Sequence, residues 1–315
     1  MLKLTRLLTL PLALAAFVST VSTLSAQHTL RIGYQKSGAF LLVRNEGTLE
    51  QKLKPLGYDI EWREFSSGPP VLEALNAGAI DIGHSGDAPL IFAQAKGVPF
   101  LYIGQSLASP DSTAILVPKD SPLKTIADLK GKKLAFAKGS SSHFVVAQAL
   151  IKANLTFADI TPVYLSPPDG RAAFQSGTID AWAVWDPFFA AAEVDAQARV
   201  LSGSERLQSH REFYFARPDF AAKNAAIIDT VLAVLTESGE KAIANPKATA
   251  AFLAPKLGTK LEILERSEGR KQRYTAKPLD AQGIAEQQEV ADTFLKLGLI
   301  PAALKVKDVV HQPAK

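Results

Sequence analysis

Three adjacent hydroxyls and an imidazole, Ser140, Ser141, Ser142 and His143, follow a short apolar run at 134–137 and the pair Lys138-Gly139. Phe144, Ala147, Leu150 and Ile151 then recur at helical spacing. The pattern predicts a buried strand, a turn and a helix that begins near Ser140. The first N–H groups of a helix have no intrahelical partner and lie at the positive end of its dipole, so they favour an anion. Ser140, Ser141 and Ser142 add hydroxyl donors, and Gly139 supplies the turn, which together make an anion site without a metal. The competing account is that one serine simply caps the helix, contributing about 1 kcal/mol of stability and nothing to a ligand.

A second copy of the arrangement exists in the chain. The segment Tyr34-Gln-Lys-Ser-Gly-Ala-Phe40, which contains Gln35, follows the apolar run 30–33 in the same way. Residues 74–81 align without a gap with residues 173–180, and Asp87 then aligns with Asp186, at a constant offset of 99. Ala74, Gly78, Ile80, Asp81 and Asp87 match their partners identically. Repetition at this length predicts two similar α/β lobes, each presenting loops at the carboxyl ends of its strands to a shared cleft.

His84-Ser-Gly-Asp87 is one such loop. Gly86 would let backbone approach a ligand, Ser85 offers a hydroxyl, and Asp87 suits a helix cap. In the matching loop of the second lobe, Trp182 and Trp185 alternate along a strand, which predicts opposite faces. Trp185 then falls at the cleft edge or packs beneath the loop. Asp186 either caps its own helix or meets a cationic substituent of a ligand. The segment Gly83-His-Ser-Gly-Asp87 lacks the last glycine of a nucleophile elbow, and no third residue orients a base, so serine hydrolysis is excluded. His28, His84, His143, His210 and His311 show no metal-ligand spacing, and no cofactor is expected.

The elements that must position these loops read as alternating strands (30–34, 58–64, 80–84, 101–103) and helices (40–53, 70–77, 88–96), the pattern of a mostly parallel sheet with helices on both faces. An apolar run at 113–118 marks a first crossing between lobes, where Ser112 and Thr113 lie. Strands at 134–137, 161–165 and 180–185 build the second unit, and 213–216 returns the chain. Helices at 225–244, 246–257 and 282–297 are expected to pad the first lobe. The expected division is a leader at 1–26, a first lobe at 27–113 and 214–315, and a second lobe at 114–213, with two adjacent strands as the hinge.

Lys3 and Arg6, an apolar stretch interrupted by Pro11 and a small-residue end at Ala26 predict a secretory signal peptide cleaved before Gln27. Its removal leaves 289 of the 315 residues and takes away two of the 35 basic side chains but none of the 31 acidic ones, so the formal charge falls from +4 to +2. That near balance excludes nucleic acid as a partner, and the cluster Arg270-Lys-Gln-Arg273 reads as a solvated loop. The absence of cysteine excludes disulfides, thiolate chemistry and a lipidated amino-terminal cysteine. A secreted chain without a lipid anchor points to a Gram-negative periplasm.

These residues resemble the aliphatic sulfonate-binding proteins, periplasmic receptors of a sulfonate-importing ABC transporter. The more specific motifs are Arg171-Ala-Ala-Phe-Gln175 and Asp180-Ala-Trp-Ala-Val-Trp-Asp-Pro187. Ile32-Gly-Tyr-Gln-Lys36, Gly68-Pro69, Ile80-Asp81 through Gly86-Asp87, Ile126-Ala-Asp-Leu-Lys-Gly131 and Lys138-Gly-Ser-Ser-Ser-His143 are shared more widely, with taurine and nitrate receptors among others. The resemblance implies a type II periplasmic binding protein, α/β in class, that works as a monomer, delivers an alkanesulfonate-type anion to an inner-membrane permease and catalyses nothing. Taurine, nitrate or another small anion is the alternative cargo. Enzymes on this scaffold, such as aryl-sulfinate desulfinases, are expected to depend on cysteine. The resemblance places the sulfonate near Gln35, Ser85, Gly86 and the helix start from Ser140 to His143, with Trp185 and Asp186 along its tail. Asp87, Ser112, Thr113 and Gly139 complete the expected set.

Overall fold

The computed structural model describes residues 27–203, 210–270 and 274–312. The expected leader and residues 271–273 of the basic cluster lie outside them. The chain begins with β1 (His28–Tyr34), α1 (Gly38–Glu46), α2 (Thr48–Leu53), β2 (Tyr58–Glu64), α3 (Gly68–Asn76), β3 (Ile82–Gly86), α4 (Asp87–Ala95) and β4 (Leu101–Gln105). It crosses to β5 (Thr113–Val117), β6 (Lys133–Phe136), α5 (Ser141–Lys152), β7 (Thr161–Tyr164), α6 (Pro167–Gln175), β8 (Ala181–Trp185), α7 (Phe188–Ala196) and β9 (Arg199–Gly203). Then follow β10 (Glu212–Ala216), α8 (Pro218–Lys223), α9 (Ala225–Ala244), α10 (Pro246–Leu257), α11 (Leu261–Arg270) and α12 (Ala281–Lys296).

The strands form two five-stranded sheets, ordered β2-β1-β3-β10-β4 and β7-β6-β8-β5-β9. The two sheets match position by position. In each, the fourth strand alone runs against its neighbours: β10 is antiparallel to β3 and β4, and β5 to β8 and β9. Both reversed strands arrive from the other lobe, so they enter their sheets from the cleft end. Thr113 already pairs with Trp185 in the second sheet, and Glu212 with Gly86 in the first. Strand pairing therefore starts slightly before each boundary that composition suggested.

The sequence repeat has a mechanical counterpart. Asp81 accepts the backbone N–H of Arg31 at 2.9 Å and donates its own to the Arg31 carbonyl at 2.8 Å. Asp180 does the same with Lys133, at 2.7 and 2.9 Å. Each aspartate stands just before β3 or β8 and locks that strand to its parallel neighbour, supplying the hydrogen bonds that the ladder lacks at its entry.

Each sheet is covered on both faces by apolar clusters. Helix α9 buries Ile227, Ile228, Val231 and Leu235 in the cluster shared with α1 and β1. Helix α12, whose Asp280 caps it through Gly283 N–H at 2.7 Å, buries Phe294 against α4. Helix α10 touches α1 and α9 of the first lobe, as expected of the tail, whereas α11, a helix outside the expected set, packs on α10 and continues onto α7 of the second lobe. The lobes also share apolar contact, since Phe144 and Ala147 of α5 sit in the cluster of α4 and α12.

Candidate ligand-binding site

The cleft ends of the repeated units enclose a small polar cavity. Gln35 and Ser37 reach it from the β1–α1 turn, Gly68 from the start of α3, and Ser85 and Gly86 from the end of β3. Ser140, Ser141 and Trp185 face them from the second lobe, and His210 and Glu212 enter with β10. No lysine or arginine lines it among the described residues. The donors are dipolar: the start of α5, serine hydroxyls and the Gln35 amide. Ser85 Oγ is buried and has no hydrogen-bond partner among the described residues. An unpartnered buried hydroxyl is costly unless something else fills its valence.

Two close approaches shape this cavity. A Cβ on Gly86 would lie 2.1 Å from Ser141 Oγ of the opposite lobe, and one on Gly68 would lie 1.9 Å from Ser85 Oγ. The lobes therefore meet across Gly86. In this arrangement the cavity measures about 30 Å³, room for about two waters. A sulfonate head needs more, so the lobes must part to admit one and then close around it slightly less tightly than they do here.

Behind the wall, Gln35 N–H donates to His84 Nε2 at 3.2 Å, which puts the ring proton on Nδ1, 3.3 Å from Glu212 Oε2. Gln35 Nε2 donates to the His84 carbonyl at 3.2 Å. The Glu212 carboxylate sits where a Gly38 side chain would be, against the start of α1. That helix end is thus supplied with an internal anion, leaving the starts of α3 and α5 facing the cavity.

Other expected residues have different roles. Ser140 Oγ donates to the Ala137 carbonyl at 2.7 Å and pairs with Ser142 Oγ at 2.8 Å, so Ser142 is turned into the protein. His143 is 3 % exposed and does not line the cavity. Its ring stacks on Phe136 and Phe92, and Nδ1 accepts Gly139 N–H at 3.2 Å. Burial, with a smaller contribution from Lys138, lowers its pKa to about 4. Asp87 accepts Ala88 N–H at 2.7 Å and serves its own helix. Ser112 Oγ donates to the Ser109 carbonyl at 2.8 Å, and Thr113 Oγ1 lies 3.0 Å from His210 Nε2. These two brace the crossing and stay outside the cavity.

Asp186 is fully buried and is held by Arg270, with contacts of 3.0 and 3.1 Å, while it accepts Ala190 N–H at 3.0 Å. It is occupied by the protein's own cation, which corrects the expectation that it lines a ligand tail. Arg270 in turn leaves the solvated loop expected for it, for it ends α11 and also binds Glu193 at 2.8 Å. The two tryptophans share one apolar cluster, although their alternation along the strand predicts separate layers. Trp182 is 1 % exposed within β8, and Trp185 is the last residue of that strand, before the turn into α7.

Trp185 also lines a second, larger space of about 520 Å³ outside the polar cavity, as do Gln35 and Ser37. Phe65, Pro187, Phe188, Ala191 and Ile263 supply its apolar wall. Sequence reasoning missed Glu212 and His210, which carry no motif and reach the cleft only because β10 returns there. It also missed α11, whose Ile263, Leu264 and Ser267 at helical spacing were a usable signal.

Paired lobes of repeated topology that close on a polar cavity define a two-lobed solute-binding protein of the type II periplasmic class. The chain belongs to the NMT1/THI5-like family, whose pattern matches residues 57–249. It is 41% identical over 308 residues to an Escherichia coli K12 protein named for aliphatic sulfonate binding, covering 96% of each. Among solved structures it is similar to the periplasmic aliphatic sulphonate binding protein SsuA from Escherichia coli, at 41% identity and TM-score 0.82 over 91% of this chain and 93% of that one. It is also similar to the alkanesulfonate-binding protein SsuA from Xanthomonas axonopodis pv. citri bound to MOPS, at 38% identity and TM-score 0.86 over 91% and 99%.

Proposed function

We propose that this protein is the periplasmic solute-binding component of an ABC importer, that it captures aliphatic sulfonates as a monomer, hands them to a membrane permease and catalyses nothing. A leader at 1–26 would direct export, and the two sheets would be the moving lobes, divided near residues 113 and 213. The observation that carries this reading is the position of Trp185, which borders both the inner polar cavity and the outer apolar chamber. An anionic head in the first and a hydrocarbon tail in the second would meet matching chemistry. Sulfate and nitrate have no tail to use the outer chamber.

Neutral donors suit a carrier that must let go. Each hydrogen bond from a neutral donor to the ionised head contributes about 1.5–3 kcal/mol, without the further Coulombic hold of a buried lysine or arginine. Ser85, with its open valence, is the hydroxyl best placed to bind the head, because Ser140 already donates to Ala137. Isothermal titration across a series of n-alkanesulfonates tests the division of labour. Trp185→Ala should weaken long tails more than short ones, by up to about 0.8 kcal/mol for each methylene no longer buried. Ser85→Ala should weaken all members by a similar factor, roughly tenfold or more. Equal losses for every tail length in the tryptophan variant would show that Trp185 only packs its lobe.

A further inference from the structure

The outer chamber is closed on its far side by the tail, and neither sheet contributes that wall. Leu257, Thr259, Lys260 and Ile263 line it from the corner between α10 and α11. This corner is fastened to the second lobe. Ile263, 3 % exposed, packs on Ala190 and Ala191 of α7, and Lys260 Nζ lies 2.8 Å from Asp195 Oδ1. Arg270 ties the other end of α11 to Asp186 and Glu193. The helix that follows Trp185 therefore also holds the far wall, so the distance from Trp185 to that wall is set within one packed unit.

The size of the chamber is informative. About 520 Å³ falls in the range that takes drug-sized ligands, far beyond what a two-carbon tail fills. The cations at its mouth are all paired: Lys36 with Glu64 at 3.3 Å, Arg171 with Asp195 at 2.7 Å, and Lys260 with Asp195. Three cations share two carboxylates there, Asp195 serving both Arg171 and Lys260, so one positive charge remains in excess and a cationic distal end is disfavoured. We propose that the α10–α11 corner, through Thr259 and Ile263, is the specificity-determining end wall of the tail chamber and sets the longest tail that the site accepts. This rests on the reading of the inner cavity as the site of the sulfonate head.

Titration calorimetry with ethanesulfonate and octanesulfonate tests it on the mature chain. The wild type should bind octanesulfonate more tightly, since each methylene brought out of water raises affinity roughly fourfold. Thr259→Phe, which fills the chamber from a half-buried position, should weaken octanesulfonate roughly tenfold, the equivalent of about two methylenes, and leave ethanesulfonate within about twofold. Retained ethanesulfonate binding also shows that the variant is folded. Ile263→Ala, which lengthens the chamber, should shift the best-bound n-alkanesulfonate to a longer chain. Equal losses for both ligands in Thr259→Phe, no loss for either, or a wild type that prefers ethanesulfonate would overturn the end wall while leaving the sulfonate reading intact. A wild type that binds no sulfonate at all overturns that reading and the wall with it.

Discussion

Asp186 has no exposure, and Arg270 supplies its countercharge from a helix far along the chain while its guanidinium lies 3.8 Å from the Phe189 ring centroid. Removing one member of such a pair leaves a charge buried without its partner, which costs about 3–5 kcal/mol when both are fully enclosed. Arg270 keeps a fifth of its side chain exposed, so Arg270→Ala should cost somewhat less, roughly 2–4 kcal/mol. Thermal denaturation should fall by roughly 5–10 °C, and adding Asp186→Asn should recover part of that loss. A variant that melts with the wild type would show that the pair is dispensable. His143 makes a second residue-scale prediction. Its folded pKa of about 4 lies below the ordinary 6.5 because burial disfavours the imidazolium, with Lys138 adding to the effect. The unfolded chain binds the proton more readily, so the stability is full above pH 6.5 and is lost as pH falls from there through 4, to an extent of roughly 3 kcal/mol. Urea titrations from pH 7 to 4 should show this decline, and His143→Phe should flatten it. An unchanged slope in the variant would assign the decline to other groups.

At the scale of elements, the loop between β3 and α4 and the start of α5 touch across the cleft, with Gly86 against Ser141. A methyl group at residue 86 holds the lobes apart, so Gly86→Ala should weaken all sulfonates alike, by roughly tenfold if about 1.4 kcal/mol of closure is lost. Gly86→Ala combined with Ser141→Ala should regain part of it, because the nearest obstructing atom is then gone. Separate effects that merely add would place the collision elsewhere. The sequence was informative about these elements because hydrophobic period and turn chemistry are local: β2, α9 and α10 fall where the pattern put them, and the offset of 99 located two equivalent loops that the matching Asp81 and Asp180 locks explain. It was silent where a role depends on a distant partner. Nothing near Asp186 announces Arg270, and nothing near Glu212 announces the start of α1. Ser142 and His143 looked like donors because hydroxyl and imidazole were counted without knowing which way the helix turns them.

For the whole molecule, the inner cavity of about 30 Å³ and the contact at Gly86 describe lobes that are together, with the site too small to load. Entry therefore requires opening, and the connections determine how it occurs. Chain crosses between the sheets at 106–112 and again between β9 and β10, and both crossings lead into the reversed strands β5 and β10. The α10–α11 corner is a third link, anchored to α9 on one side and α7 on the other. Since α11 carries ion pairs and Ile263 into the second lobe, it should move with that lobe, while the joint between α9 and α10 absorbs the motion. A ligand that bridges the lobes shifts the population toward the closed form by its differential affinity. Small-angle scattering of the mature chain should give a radius of gyration near the roughly 19 Å of a compact chain of this length when octanesulfonate is saturating, and a larger value without it. Equal radii near that compact value in both conditions would mean that the free protein already rests closed, and that loading proceeds through an opening too rare to set the average dimensions.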